Sequence, residues 1–261
     1  MENKTQLLKL GNDIVFGNSG VVYNMEPGTV YIPTIDTYTD EIKLNIVSDL
    51  MLPKKVYSPD SDVKFINKVL NSYSKMDKTM GILLAGEKGA GKTVMAKNIA
   101  VQSNLPILTI DKTFRPRYLK GLFDKIKDTP MCVIFDEFDK LGKDYDSDYM
   151  LQVFDGISSC GNHLIILTCN DTNEVNSYML DRCGRIRYYR EFEEMNPSMI
   201  KEILNDKIDH PAKIDDLVDF VVSKFGLKSF DNVASFADEV NLYPNEDLDE
   251  LFNDMNISSN D

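Results

Sequence analysis

Gly86, Glu87, Lys88, Gly89, Ala90, Gly91, Lys92 and Thr93 follow one another in the order G-x-x-x-x-G-K-[ST], combining three glycines with an ammonium and a hydroxyl. Glycine lets the backbone bend until successive N–H groups point inward, and a helix opening near Lys92 adds the positive end of its dipole. Such a nest holds the phosphates of a nucleoside triphosphate. Lys92 then reaches the β- and γ-phosphates and the Thr93 hydroxyl ligates Mg2+, with the contacting stretch running from Gly86 to Val94. The apolar run Ile82 to Ala85 leads straight into the loop, as a strand must if the loop joins it to a helix.

A second apolar run, Cys132 to Phe135, ends in adjacent carboxylates, Asp136 and Glu137. Open α/β sheets bind ligands beyond the carboxyl ends of their strands, so both acids emerge on the edge that carries the phosphate loop. Asp136 then holds Mg2+ through a water, and Glu137 orients the water that attacks the γ-phosphate. The second carboxylate points to hydrolysis rather than storage of ATP.

Positioning these groups calls for a parallel sheet with crossover helices, and from residue 81 short apolar runs do alternate with helical segments. The expected strands are 81–85, 106–110, 131–135, 163–168 and 186–189, and the expected helices between them are 92–103, 116–127, 147–157 and 174–180. Upstream, residues 12–50 carry alternations such as those at 20–23 and 29–32, and 63–76 has helical spacing. Downstream of Pro197 come four helices, at 198–209, 214–225, 229–241 and 245–253. The expected architecture is a five-stranded parallel P-loop core (51–195) with a small β-rich element before it (1–50). A helical lid (196–255) and a flexible tail (256–261) follow.

The stretches 81–93 and 132–137 resemble the AAA+ ATPases. So do 150–157, the Ile165 to Asn170 strand, and the segment Leu180 to Ile186, giving a likeness over roughly residues 50–240. The resemblance implies ATP and Mg2+ as cofactors and a homo-hexameric ring. It implies that Asn170 hydrogen-bonds the attacking water or the γ-phosphate, and that Arg182 and Arg185 reach the neighbouring protomer's site as arginine fingers. Cys183 departs from the proline many relatives carry. At the second-sensor position only Lys228 is present, and a solvated lysine is the competing reading. Phe114 falls where ring-forming relatives place a pore loop and could grip a threaded polypeptide, or it could anchor the core together with Tyr118.

Forty-two acidic residues against 29 basic ones give a charge of −13, which argues against an extended phosphate-backbone-binding surface. Cys132, Cys160, Cys169 and Cys183 form no CxxC pair and have only His163 and His210 nearby in kind, so buried reduced thiols are expected rather than zinc. No segment approaches the ~20 apolar residues of a spanning helix, and a cytoplasmic protein is expected. The Asn- and Lys-rich single-module character would suit a phage protein, in which case that is the host cytoplasm. The function so read is ATP hydrolysis in a ring that remodels, unfolds or disassembles a protein. The alternatives are a nucleic-acid-associated motor of helicase or clamp-loader type and an ATP-dependent assembly scaffold.

Overall fold

A computed structural model describes residues 6–255 except 11–12, 18–22, 48–49, 58–59, 142–161, 173–185, 193–194, 210–213 and 226–228. The chain divides into two compact units. The first comprises Met1–Pro53, Phe65–Ala85 and Thr93–Glu191, and the second Lys54–Lys64, Gly86–Lys92 and Phe192–Asp261.

The sheet follows from runs that are apolar on both faces. Strands β5 (Met80–Gly86), β7 (Cys132–Phe135) and β8 (Leu164–Cys169) are buried along nearly their whole length, the pattern of parallel strands covered on both sides. Together with β6 (Ile107–Ile110) they pair in parallel, with Ile107 opposite Cys132, Cys132 opposite Leu164, and Met80 opposite Leu164. β9 (Ile186–Phe192) lies beside β5 and alternates between covered and exposed positions, with Ile186 buried and Tyr188, Arg190 and Phe192 half-buried.

The α/β class is as expected, but among the described residues the sheet has nine strands rather than five. The N-terminal strands β1 (Gln6–Leu10), β2 (Asp13–Gly17), β3 (Val30–Ile35) and β4 (Ile42–Val47) continue the same sheet, whose order is β1-β2-β4-β3-β6-β7-β8-β5-β9. These four pair antiparallel among themselves, and β3 joins β6 in parallel through Val30 and Tyr31. Pro33 lies just past that short junction, where its missing N–H costs no ladder bond toward β6. Tyr23, expected in a strand, is not part of one.

Helices α1 (Asp60–Tyr73), α2 (Lys92–Gln102), α3 (Leu119–Ile126) and α4 (Phe138–Leu141) punctuate the strands, and a 3-10 turn at Pro116–Tyr118 leads into α3. The expected helices at 147–157 and 174–180 lie outside the described residues. Phe123 stacks on Phe135 and Phe138 meets Phe135 edge-on, so the chain just after Asp136 is anchored in the core of the first unit.

Phe114 also belongs to that core and is only 4% exposed, which corrects its reading as a gripping aromatic. The reason is local. Asp111 accepts from the Thr113 N–H at 2.7 Å and its carbonyl accepts from the Phe114 N–H at 3.1 Å, a turn that folds the ring back inward. Cys132 and Cys169 are buried, and burial pushes the Cys132 thiol far up. Cys160, Cys183 and His210 lie outside the described residues.

In the second unit, α5 (Pro197–Lys207), α6 (Ile214–Phe225), α7 (Phe230–Leu242) and α8 (Leu248–Asp254) enclose their own core around Ile203, Leu217, Phe236 and Val240. Three of these helices begin at side-chain caps, Asn196, Ser229 and Asp247, each accepting a backbone N–H from the first turn. No helix of the described residues is long and apolar enough to cross a membrane.

His163 is fully buried before β8, edge-on to Phe123, and its Nδ1 accepts from the Met131 N–H at 3.3 Å. Burial pushes its pKa down from 6.5 to about 4, so the folded chain holds it neutral. Between those two values the unfolded chain takes up a proton that the folded chain refuses, and stability therefore falls as pH drops. Replacing His163 by Gln is expected to remove about 2 kcal/mol of the stability difference between pH 7 and pH 5. Urea unfolding of both proteins at the two pH values checks this.

Candidate functional site

Strands β5, β7 and β8 run parallel in register, so the residues that follow Ala85, Phe135 and Cys169 leave the sheet at one edge. Those residues are Gly86, Asp136 and Asn170. The first unit thus carries Asp136 and Asn170, singled out as metal carboxylate and polar sensor, at one edge of its sheet, and the chain of β5 continues into the phosphate loop.

The loop from Gly86 to Lys92 is shaped by close approaches. Gly86 has φ +137°, and a Cβ there would come 2.5 Å from the Phe192 carbonyl oxygen. Gly89 has φ +81°, and its absent Cβ would lie 2.5 Å from the Ser229 Cβ. Neither position admits a side chain, for reasons of backbone and space together. The Ala90 N–H closes a turn onto the Glu87 carbonyl at 3.3 Å, and the Phe230 N–H points at the Gly89 carbonyl at 3.4 Å. Lys92 is 6% exposed, and its Nζ donates to the carbonyls of Gly86 and Glu87, both at 2.6 Å. The ammonium is therefore curled over its own loop, at the place a phosphate acceptor would need it.

Asp136 is the hub of the first unit's polar edge. Its Oδ1 accepts from the Thr93 hydroxyl at 3.0 Å and from the Thr168 hydroxyl at 2.8 Å. The Thr168 hydroxyl in turn accepts from the Glu137 N–H at 2.9 Å. Glu137 adopts φ +53°, a left-handed conformation that costs a non-glycine residue about 1 kcal/mol or more and that persists where surroundings impose it. Its Oε1 meets the Lys140 ammonium at 2.5 Å, one helical turn on, and that hydrogen bond holds the exposed lysine's pKa above its usual value. Asn170 is half-buried directly beyond β8.

Mg2+ prefers oxygen donors and keeps several waters, so it needs only one or two protein groups beside the phosphates of its nucleotide. A hydroxyl and a carboxylate 3.0 Å apart, Thr93 and Asp136, fit that demand. Among the described residues no group of three or more His, Cys, Asp or Glu could form an all-protein metal cage.

Arg182, Arg185 and Lys228 lie outside the described residues. Sequence reasoning passed over Thr168, although a signal existed: it is the one hydroxyl in a strand otherwise reading Leu, Ile, Ile, Leu and Cys. It also passed over Phe192 and Ser229, whose proximity to the loop glycines is created by long-range folding.

Residues 82–191 match the family model described as "ATPase family associated with various cellular activities (AAA)". A putative cell division cycle ATPase of Plasmodium falciparum is 29% identical over 177 residues, 60% of this chain and 14% of that protein. The ATP-dependent zinc metalloprotease FtsH of Parabacteroides distasonis is 27% identical over 53% of this chain and 23% of its own length. The peroxisomal ATPase PEX6 of Arabidopsis thaliana is 28% identical over 56% and 16%. The chain thus spans less than a quarter of the length of these curated relatives. In fold it resembles a structure from a study of katanin self-assembly, with a TM-score of 0.55, 17% identity and coverage of 76% of this chain and 74% of that one. The family match spans the phosphate loop, the Thr93 and Asp136 pair and Glu137, so residues 82–191 resemble the AAA ATPase family.

Proposed function

We propose that this chain hydrolyses ATP to ADP and phosphate with Mg2+, as a member of an oligomeric ring that remodels a protein substrate. The observation that carries hydrolysis is the bonding of Thr93 to Asp136 at 3.0 Å with Glu137 next in the chain, because it joins the phosphate loop's hydroxyl to the carboxylates.

In this reading the backbone N–H groups of 86–92 cradle the α- and β-phosphates, and Lys92 exchanges its carbonyl partners for β- and γ-phosphate oxygens. Thr93 and Asp136, the latter through a water, would hold Mg2+, which would supply positive charge to offset that gathering on the phosphates. Glu137 leaves Lys140 to accept a hydrogen bond from the attacking water and aim it in line with the γ-phosphate. Asn170, half-buried one residue beyond β8, steadies the same water or the γ-phosphate.

Arg182 and Arg185 come from a neighbouring copy and stabilise the transferring phosphoryl group, which makes turnover conditional on assembly. The resemblance supports this role and the hexamer, and the structure similar in fold comes from a study of self-assembly. A protein substrate is favoured over a nucleic acid by the net charge of −13. With Phe114 buried, another element must contact that substrate.

Lys92→Ala is expected to abolish binding of a fluorescent ATP analogue. Glu137→Gln is expected to keep that binding and to slow phosphate release by about 100-fold or more. Equal loss of binding in both variants would count against the assigned roles.

Arg182→Ala and Arg185→Ala are expected to bind ATP normally but lose on the order of 1000-fold in turnover. Mixing either with Glu137→Gln protein is expected to restore part of the activity, because an intact finger then meets an intact carboxylate at some interfaces. Turnover by a dilute monomer lacking both arginines would defeat the assembly requirement.

A further inference from the structure

We infer that Thr168 is a positioning residue for both carboxylates of the site. The inference rests on the hydrolytic reading above but reaches a residue to which that reading gives no part.

Thr168 is 1% exposed, next to last in the buried strand β8, where an unpaired polar group would be costly. Its hydroxyl is instead fully employed. Its hydrogen goes to Asp136 Oδ1 at 2.8 Å and its lone pair takes the Glu137 N–H at 2.9 Å. Both partners sit one strand away, just past the Phe135 to Leu167 pairing of β7 with β8.

One oxygen therefore sets two geometries. Its donated bond fixes the rotamer of the Asp136 carboxylate and leaves Oδ2 as the oxygen without a role in this bridge. Its accepted bond pins the peptide at which the chain turns left-handed, at φ +53° for Glu137, and so fixes where the glutamate side chain starts. Thr93 bonds the same Oδ1 from the other side at 3.0 Å, and two donors on one oxygen orient a carboxylate better than either does alone.

Val has nearly the shape of Thr and favours strands equally, so Thr168→Val removes the bridge with little change in packing. Outer-shell partners of metal-binding groups are commonly worth 10- to 100-fold in metal affinity or activity. In the full-length chain, Thr168→Val is expected to lower kcat by roughly 10-fold or more and to raise the Mg2+ concentration needed for half-maximal turnover. KM for ATP should stay within about twofold, because the phosphate cradle is untouched. Thr168→Ser, which keeps the hydroxyl, should recover most of the wild-type rate and Mg2+ dependence.

Wild-type kcat and Mg2+ dependence in Thr168→Val would overturn the inference, as would a serine variant no better than the valine one. If Val prevents folding, Thr168→Cys, small and only a weak hydrogen-bonding group, carries the same expectations. Should the wild-type chain show no turnover, hydrolysis itself falls. The positioning role is then read from how Mg2+ tightens binding of a fluorescent ATP analogue, and equal Mg2+ dependence in wild type and Thr168→Val would overturn it.

Discussion

A carboxylate at the end of a buried strand must be held from more than one direction if its oxygens are to point anywhere in particular. Asp136 meets this constraint by drawing hydroxyls from two other elements onto one oxygen, Thr93 from the start of α2 and Thr168 from within β8. These two hydrogen bonds tie three segments of the chain at one point. Much of the surrounding architecture reads as what that knot requires. β7 has to lie beside β8 so that Thr168 can reach across, and both have to be parallel so that their ends coincide.

The apolar content of these strands serves the same end. β7 and β8 bury essentially every side chain, so the sheet has little freedom to slide, and slippage by one residue would turn Thr168 to the opposite face. Aromatic packing just beyond the strand, with Phe138 edge-on to Phe135, anchors the turn that bears Glu137. The strain at Glu137 is thus maintained by packing on one side and by a hydrogen bond on the other.

The sequence makes the parallel strands legible because each is a short apolar run with turn residues at its end, and the phosphate loop is legible because its chemistry demands those residue types in that order. The N-terminal strands are much harder to read. Ile14 pairs with Leu44 across a separation that no local pattern records, while Ile14, Val15 and Phe16 are contiguous apolar residues compatible with either helix or strand. Phe114 shows the same limit on a smaller scale. Flanked by Thr113 and Arg115 it resembles an exposed loop residue, and only the turn closed by Asp111 directs it inward. In the site, residues that supply the chemistry are visible as motifs, whereas Thr168, Phe192 and Ser229 act by proximity that folding alone creates.

The contact between Gly89 and Ser229 bears on how tightly the loop can grip anything. Ser229 caps α7, so the start of that helix and the crest of the loop share a few cubic ångströms that neither can vacate alone. Although its strand enters from the sheet, the loop clusters with the C-terminal helices. The crest of the loop thus leans on the helix that Ser229 caps: fraying of α7 would slacken it, and protection of the loop amides against solvent exchange should track the melting of that helix.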